Sequence, residues 1–125
     1  MAQPIQVLIA DDSARARDGL RALLTTWPEV EVVGEAANGY EAMRLVAECR
    51  PDIVLMDLQM PVLGGVQATQ AIKKRWPDIK VIVLTMYAEA RTAALAAGAD
   101  AFVIKGSAPD RLLSTLFRVG AVDKS

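Results

Sequence analysis

Five short runs of Val, Ile, Leu and Ala, each too brief for an independent helix, most constrain what this chain can become. They occupy residues 5–10, 30–33, 53–56, 81–84 and 101–104. The first, third and fourth are almost uninterrupted, the pattern of strands covered on both faces of a parallel sheet. The second carries Glu31 and the fifth is small and mixed, which suits edge positions. Between the runs lie helical periods. Leu20, Leu23, Leu24 and Trp27 fall at i, i+3, i+4 and i+7, as do Ala42, Leu45, Val46 and Cys49, and Leu113, Leu116, Phe117 and Gly120. Residues 66–76 and 89–97 are weaker helix candidates, the latter carried by alanine propensity. Alternating strand and helix, with right-handed crossovers, predict one three-layer α/β domain over residues 1–125.

Punctuation agrees with those boundaries. Ser13 and Asn38 are candidate N-caps, and Ser107, Pro109 and Asp110 form a near capping box for the last helix. Trp27-Pro28 and Trp76-Pro77 end the first and third helices, and Gly98 closes the fourth. Lys73-Lys74-Arg75 reads as a cationic last turn that complements the helix dipole, and Cys49 as a small buried hydrophobe.

The polar residues that follow the strands carry the chemistry. Asp11-Asp12 follows the first run, Asp57 the third, Thr85 the fourth and Lys105 the fifth. In a parallel sheet these ends share one edge, where open α/β sheets bind ligands. Three crowded carboxylates call for a divalent cation or a proton, and an all-oxygen donor set suits Mg²⁺. Mn²⁺ is the alternative. Lys105 offers a point charge and Thr85 a hydroxyl donor to a phosphoryl group. Together they are the minimal apparatus for moving a phosphoryl group onto an aspartate. Asp57, alone after the central run, is the predicted acceptor; the adjacent Asp11 and Asp12 are the predicted metal-holding pair.

Composition excludes much else. With no histidine there is no Ser-His-Asp triad, no His-ligated metal and no phosphohistidine donor, and one cysteine allows no internal disulfide. Fourteen basic residues against fifteen acidic ones give no reason to expect nucleic-acid binding by this domain. A missing basic n-region and the lack of any membrane-length apolar run predict a cytoplasmic protein that avoids membranes. The glycines at 34 and 39 have phosphate-loop spacing, but Tyr40-Glu41 stands where Lys-Ser/Thr is required.

The strand-end residues and their neighbours resemble a receiver domain of a bacterial two-component response regulator. The resemblance spans nearly the whole chain: residues 7–12, residues 51–61 with Gly64-Gly65, residues 81–86 and residues 98–105. Residues 27–30 and Gly34-Glu35-Ala36 resemble the subfamily with LuxR-type helix-turn-helix outputs. The resemblance implies a flavodoxin-like (βα)5 fold with a five-stranded parallel sheet in the order 2-1-3-4-5. It implies a signalling module, not an enzyme, phosphorylated on Asp57 by a sensor histidine kinase, with homodimerisation on phosphorylation as a further expectation. Mg²⁺ would be held by Asp12, Asp57 and the Gln59 backbone carbonyl, with Asp11 acting through water. Thr85 and Phe102 would report the phosphoryl group to the surface of helix four, strand five and helix five. Gln59 and Tyr87 would flank the approach of water and tune the lifetime of the phosphoryl group.

Two departures from the family pattern bear on that relay. The span from Thr85 to Lys105 is short, which predicts a trimmed or displaced fourth helix. Gly106 stands where many relatives have proline, against a cis peptide there. Rival readings keep their own tests. A flavodoxin-like electron carrier would not place two aspartates against a flavin phosphate. A haloacid-dehalogenase-like phosphohydrolase needs an acid at position 59 and a cap over its substrate. A degenerate receiver-like docking module shares the fold but has no need of the five-residue set. Among plainer readings, Asp11-Asp12 caps helix one, Lys105 is a solvated strand end and Phe102 is ordinary core. No output domain fits in 125 residues, so an excised or free-standing receiver is expected.

Overall fold

The computed structural model describes residues 3–124, so Met1, Ala2 and Ser125 of the expected domain lie outside it. Strands β1 (Ile5–Ala10), β2 (Val30–Ala36), β3 (Ile53–Asp57), β4 (Lys80–Thr85) and β5 (Ala101–Ile104) alternate with helices α1 (Ala14–Leu24), α2 (Gly39–Cys49), α3 (Gly65–Arg75), α4 (Arg91–Ala96) and α5 (Pro109–Lys124). The strands are all parallel, in the order β2-β1-β3-β4-β5. This is the flavodoxin-like sheet that the resemblance implies.

Every residue of β3 is buried, because strands and helices cover it on all sides. Its side chains alternate between two cores. Val54 and Met56 face α2, α3 and α4 beside Val46, Ile72 and Ala94, whereas Ile53 and Leu55 face α1 and α5 beside Leu24 and Leu116. Burying such aliphatic side chains contributes about 1.5–3 kcal/mol each. Among the described residues, no helix is long and apolar enough to cross a membrane.

Local chemistry sets the boundaries. The Ser13 hydroxyl accepts from the Ala16 amide at 3.1 Å, and the Asn38 side chain accepts from the Glu41 amide at 2.9 Å. The hydroxyls of Thr25 and Thr26 donate to the carbonyls of Ala22 and Leu23, closing α1 at Leu24. Trp27 therefore lies in the turn after α1, two residues beyond the threonine cap, rather than in its last turn. The Lys73 ammonium binds the carbonyls of Pro77 and Ile79 and the Asp100 carboxylate, so it joins α3 to the start of β4 and the approach to β5. The Arg75 guanidinium lies 5.0 Å from the Trp76 ring centroid, over the aromatic face.

Four expectations shift. Strand two extends to Ala36 instead of stopping at Val33, and its register slips between Val7 and Leu8: Val7 faces Val32 while Leu8 faces Gly34. Val33 is thus the extra residue of a β-bulge, and the faces of β2 exchange beyond it. The fourth helix is trimmed, as expected: a 3₁₀ turn over Ala88–Ala90 precedes only six α-helical residues. Helix α5 buries Leu112, Leu116 and Val119, while Leu113 and Phe117 are only partly covered. The Ser107 hydroxyl donates to the Ile104 carbonyl at 2.7 Å, a turn contact in place of the expected capping box. Cys49 is half-buried rather than fully enclosed.

Gly65 secures the loop after β3. A Cβ there would collide with the Asp57 carbonyl and the Leu58 Cα, and the Gly65 amide donates to the Leu58 carbonyl at 3.1 Å. The obstacle is backbone, which cannot rotate away. Gly65→Ala should destabilise the fold by about 1–3 kcal/mol in urea denaturation, the cost of overpacking a rigid contact.

Candidate phosphoryl-acceptor site

The sheet order makes the ends of β1, β3, β4 and β5 consecutive neighbours, so their terminal residues meet. Asp11, Asp12, Asp57, Gln59, Thr85, Tyr87 and Lys105 all line one open crevice of about 280 Å³. Asp57 is 6% exposed, Asp11 and Thr85 are each 2% exposed, and Asp12 is open to solvent. One oxygen from each of Asp11, Asp12 and Asp57 lies within 4.8 Å of the others. Phe102 does not line the crevice. It borders a separate cavity of about 390 Å³ with Ala88, Arg91 and Arg111.

Lys105 organises the charges. Its ammonium donates to Asp11 Oδ2 at 2.8 Å and lies 3.5 Å from Asp57 Oδ1. A solvated strand-end lysine would do neither. The other Asp11 oxygen accepts from the Ser13 amide at 2.9 Å, so both oxygens of that carboxylate are engaged. The cap of α1 is Ser13, which leaves the two aspartates free of the plain capping role. Thr85 Oγ1 accepts from the Tyr87 amide at 3.3 Å, which fixes the oxygen and leaves its proton to be donated. Gln59 is exposed; its amide donates to Asp57 Oδ1 at 3.4 Å. Tyr87 is 49% exposed beside the same crevice.

Burial raises the Asp57 pKa above its usual 3.8, and the nearby Asp11 charge adds to the rise. The Lys105 cation and the Gln59 amide oppose it without cancelling it. For Lys105 the balance runs the other way. Burial is the largest influence and disfavours the cation, but the hydrogen bond to Asp11 and the charges of Asp57 and Asp11 together raise its pKa above 10.5. Lys105 is therefore a cation at neutral pH. Three carboxylates against one ammonium leave two formal negative charges in the crevice.

The response regulator receiver domain family model matches residues 7–117. This chain belongs to that family. Among curated proteins, the receiver domain is 44% identical over 113 residues to the transcriptional regulatory protein YhcZ of Bacillus subtilis (strain 168), covering 89% of the chain and 53% of that protein. It is 45% identical over 103 residues to the response regulator protein VraR of Staphylococcus aureus (strain Mu3 / ATCC 700698), covering 81% of the chain and 49% of the relative. Among solved structures, a LuxR-family two-component response regulator from Aurantimonas sp. SI85-9A1 superposes with a TM-score of 0.90 at 34% identity, covering 96% of this chain and 87% of that one. The receiver domain thus lies near LuxR-type regulators, and it spans about half the length of these curated relatives.

Sequence reasoning missed Arg17, which touches the site from outside, and Glu35, which holds Arg17. Arg17 Nη1 donates to the Asp11 backbone carbonyl at 2.6 Å, and Glu35 holds the same guanidinium at 3.3 Å. The signal was the i, i+4 pair of Arg17 and Arg21 on α1, whose acidic partner stood past the expected end of β2.

A raised carboxyl pKa means that the native state disfavours the ionised form. Stability from this group falls as pH rises between 3.8 and the higher native value. In metal-free buffer at neutral pH, Asp57→Asn should therefore melt higher than the wild type. The difference should vanish below pH 3.8, where Asp57 is protonated in both states. Calorimetric melting with a chelator present checks both signs.

Proposed function

We propose that this chain is the phospho-accepting receiver of a response regulator with a LuxR-type DNA-binding output, working in the cytoplasm. Asp57 takes its phosphoryl group from a sensor histidine kinase. The observation that carries the reading is the convergence of Asp11, Asp12, Asp57, Thr85 and Lys105 on one crevice from four neighbouring strand ends.

The residues fit a hard divalent cation. Three carboxylate oxygens within 4.8 Å and two uncompensated formal charges favour Mg²⁺, or Mn²⁺ in its place. Asp12, Asp57 and the Gln59 carbonyl would hold the ion directly. Asp11, with both oxygens already engaged, would act through water. When bound, the ion supplies charge neutralisation at the phosphoryl oxygens.

The chain's own residues do the rest. An Asp57 oxygen attacks the phosphorus of a phosphohistidine in line with the N–P bond. The new O–P bond forms as that bond breaks, and its electron pair leaves on the imidazole nitrogen. Burial keeps the Asp57 carboxylate poorly solvated, which strengthens it as a nucleophile. Charge on the transferring oxygens is met by the Lys105 ammonium and the Thr85 hydroxyl.

Readout follows from the same groups. The Thr85 proton has an acceptor once the phosphoryl group is present. Phe102 borders a cavity large enough to receive its ring, beside the short α4 and the start of α5. Movement there alters the surface of α4, β5 and α5 that an output domain or a second copy would meet. Gln59 and Tyr87 stand on the rim, placed to orient or exclude water.

Incubation with acetyl phosphate and Mg²⁺, followed by intact mass measurement, should add one phosphate to the wild type and none to Asp57→Asn. A chelator should abolish the addition, and equal incorporation in both proteins overturns the assignment. Tyr87→Ala should shorten the phosphoryl half-life about tenfold, equivalent to roughly 1.4 kcal/mol of barrier. Phosphate release from purified phosphoprotein measures it, and an unchanged half-life excludes the ring as a shield.

A further inference from the structure

A charged cluster outside the crevice reaches into it through the backbone. Arg17 Nη1 donates to the Asp11 carbonyl at 2.6 Å, while Arg17 Nε donates to Glu35 Oε1 at 3.3 Å. The second Glu35 oxygen accepts from Arg21 Nε at 2.9 Å. The side chains of Arg17 and Glu35 are 19% and 25% exposed, and that of Arg21 is 45% exposed. We propose that Glu35 and Arg17 are positioning residues that orient the Asp11–Asp12 peptide for cation binding. This rests on reading Asp11 and Asp12 as part of the cation site.

The bulge makes the cluster possible. Ala36 packs in the core on the α2 side of the sheet, and a Cβ at Gly34 would point toward Leu8 and Leu45 on that same side. Glu35, between them, points the other way, toward α1. Val30 packs with the core on the α1 side. Uninterrupted alternation from Val30 would have sent Glu35 toward α2, away from both arginines. The extra residue at Val33 re-aims it.

The guanidinium is a rigid planar fork, so two contacts on different edges fix its orientation. Its grip on the Asp11 carbonyl fixes a peptide plane, because the bond to the Asp12 nitrogen does not rotate freely. The Asp11 side chain has its own restraints in Lys105 and the Ser13 amide. Asp12 is exposed, so packing does little to hold it, and its direction depends on that peptide plane. Ligands ordered in advance lose less entropy when the ion binds. An exposed ion pair such as Arg21–Glu35 contributes little alone. The Arg17 pair differs because its far end is the backbone of the site.

The charge effect and the positioning effect have opposite signs. Removing a cation near three carboxylates would, by Coulomb attraction alone, strengthen Mg²⁺ binding. Calorimetric Mg²⁺ titration should instead show Arg17→Ala binding on the order of tenfold more weakly, as loss of an outer partner does at metal sites. Arg17→Lys, which keeps the charge and loses the fork, should also weaken binding, and it serves if the alanine variant does not fold. Arg21→Ala should bind no more weakly than the wild type. Affinity in Arg17→Ala equal to or tighter than wild type overturns the proposal, as does an equal loss in Arg21→Ala. A wild type that binds no Mg²⁺ overturns the cation reading itself. The ¹⁵N order parameter of the Asp12 amide in metal-free protein then decides positioning alone. It should drop in both Arg17 variants and hold in Arg21→Ala; no drop overturns the proposal.

Discussion

The Lys105 ammonium lies 2.8 Å from one buried carboxylate and 3.5 Å from another, and the crevice is organised around the cost of those charges. Buried ions lose hydration worth several kcal/mol each, which only close, well-directed partners restore. Asp11 has such partners on both oxygens, Lys105 on one and the Ser13 amide on the other. Burial outweighs the partners of Asp57, and its pKa stays raised. Asp57 is thus the poorly compensated member of the set, even with the Lys105 ammonium 3.5 Å away. That imbalance suits the role proposed for Asp57, attracting a cation and then attacking phosphorus.

The strand order makes this arrangement available. Because β1, β3, β4 and β5 are consecutive neighbours, four separate stretches of sequence deliver their last residues to one edge. The order also buries β3 completely, which denies Asp57 the water it would find at an edge strand. Gly65 holds the following loop against the Asp57 backbone, and the bulge in β2 turns Glu35 toward α1. These features of backbone geometry bring the charged groups within reach of one another.

Legibility in the sequence followed the redundancy of the signal. Strands β1, β3 and β4 read clearly because nearly every residue is apolar, and the strand-end acids, hydroxyl and lysine stood out against those runs. Strand β2 read short because Gly34-Glu35 breaks the apolar pattern, and a bulge leaves no local mark. Helix α5 offered two equivalent stripes, since Leu112-Leu113 and Leu116-Phe117 are adjacent pairs. In the fold Leu112, Leu116 and Val119 join the core on the α1 side, while Gly120 of the expected stripe lies against Ile5 and Ile53. Trp27 kept the helical period past the end of α1 because periodicity does not see the threonine caps.

By itself the sequence determined which residues stand at the ends of β1, β3, β4 and β5, because an apolar run and the polar residue that follows it are local properties of the chain. It determined the donor set as well: carboxylates, one ammonium and one hydroxyl, with no imidazole anywhere in the chain. Tertiary structure decided how those groups share their charges. Lys105 pairs with Asp11, 94 residues away in sequence, and its distance to Asp57 depends on the packing of β4, which lies between β3 and β5. It also decided that Arg17 reaches the Asp11 backbone and that Glu35 holds Arg17. Their link runs through the bulge in β2, and whether one residue of a strand is skipped in pairing depends on the neighbouring strand it pairs with.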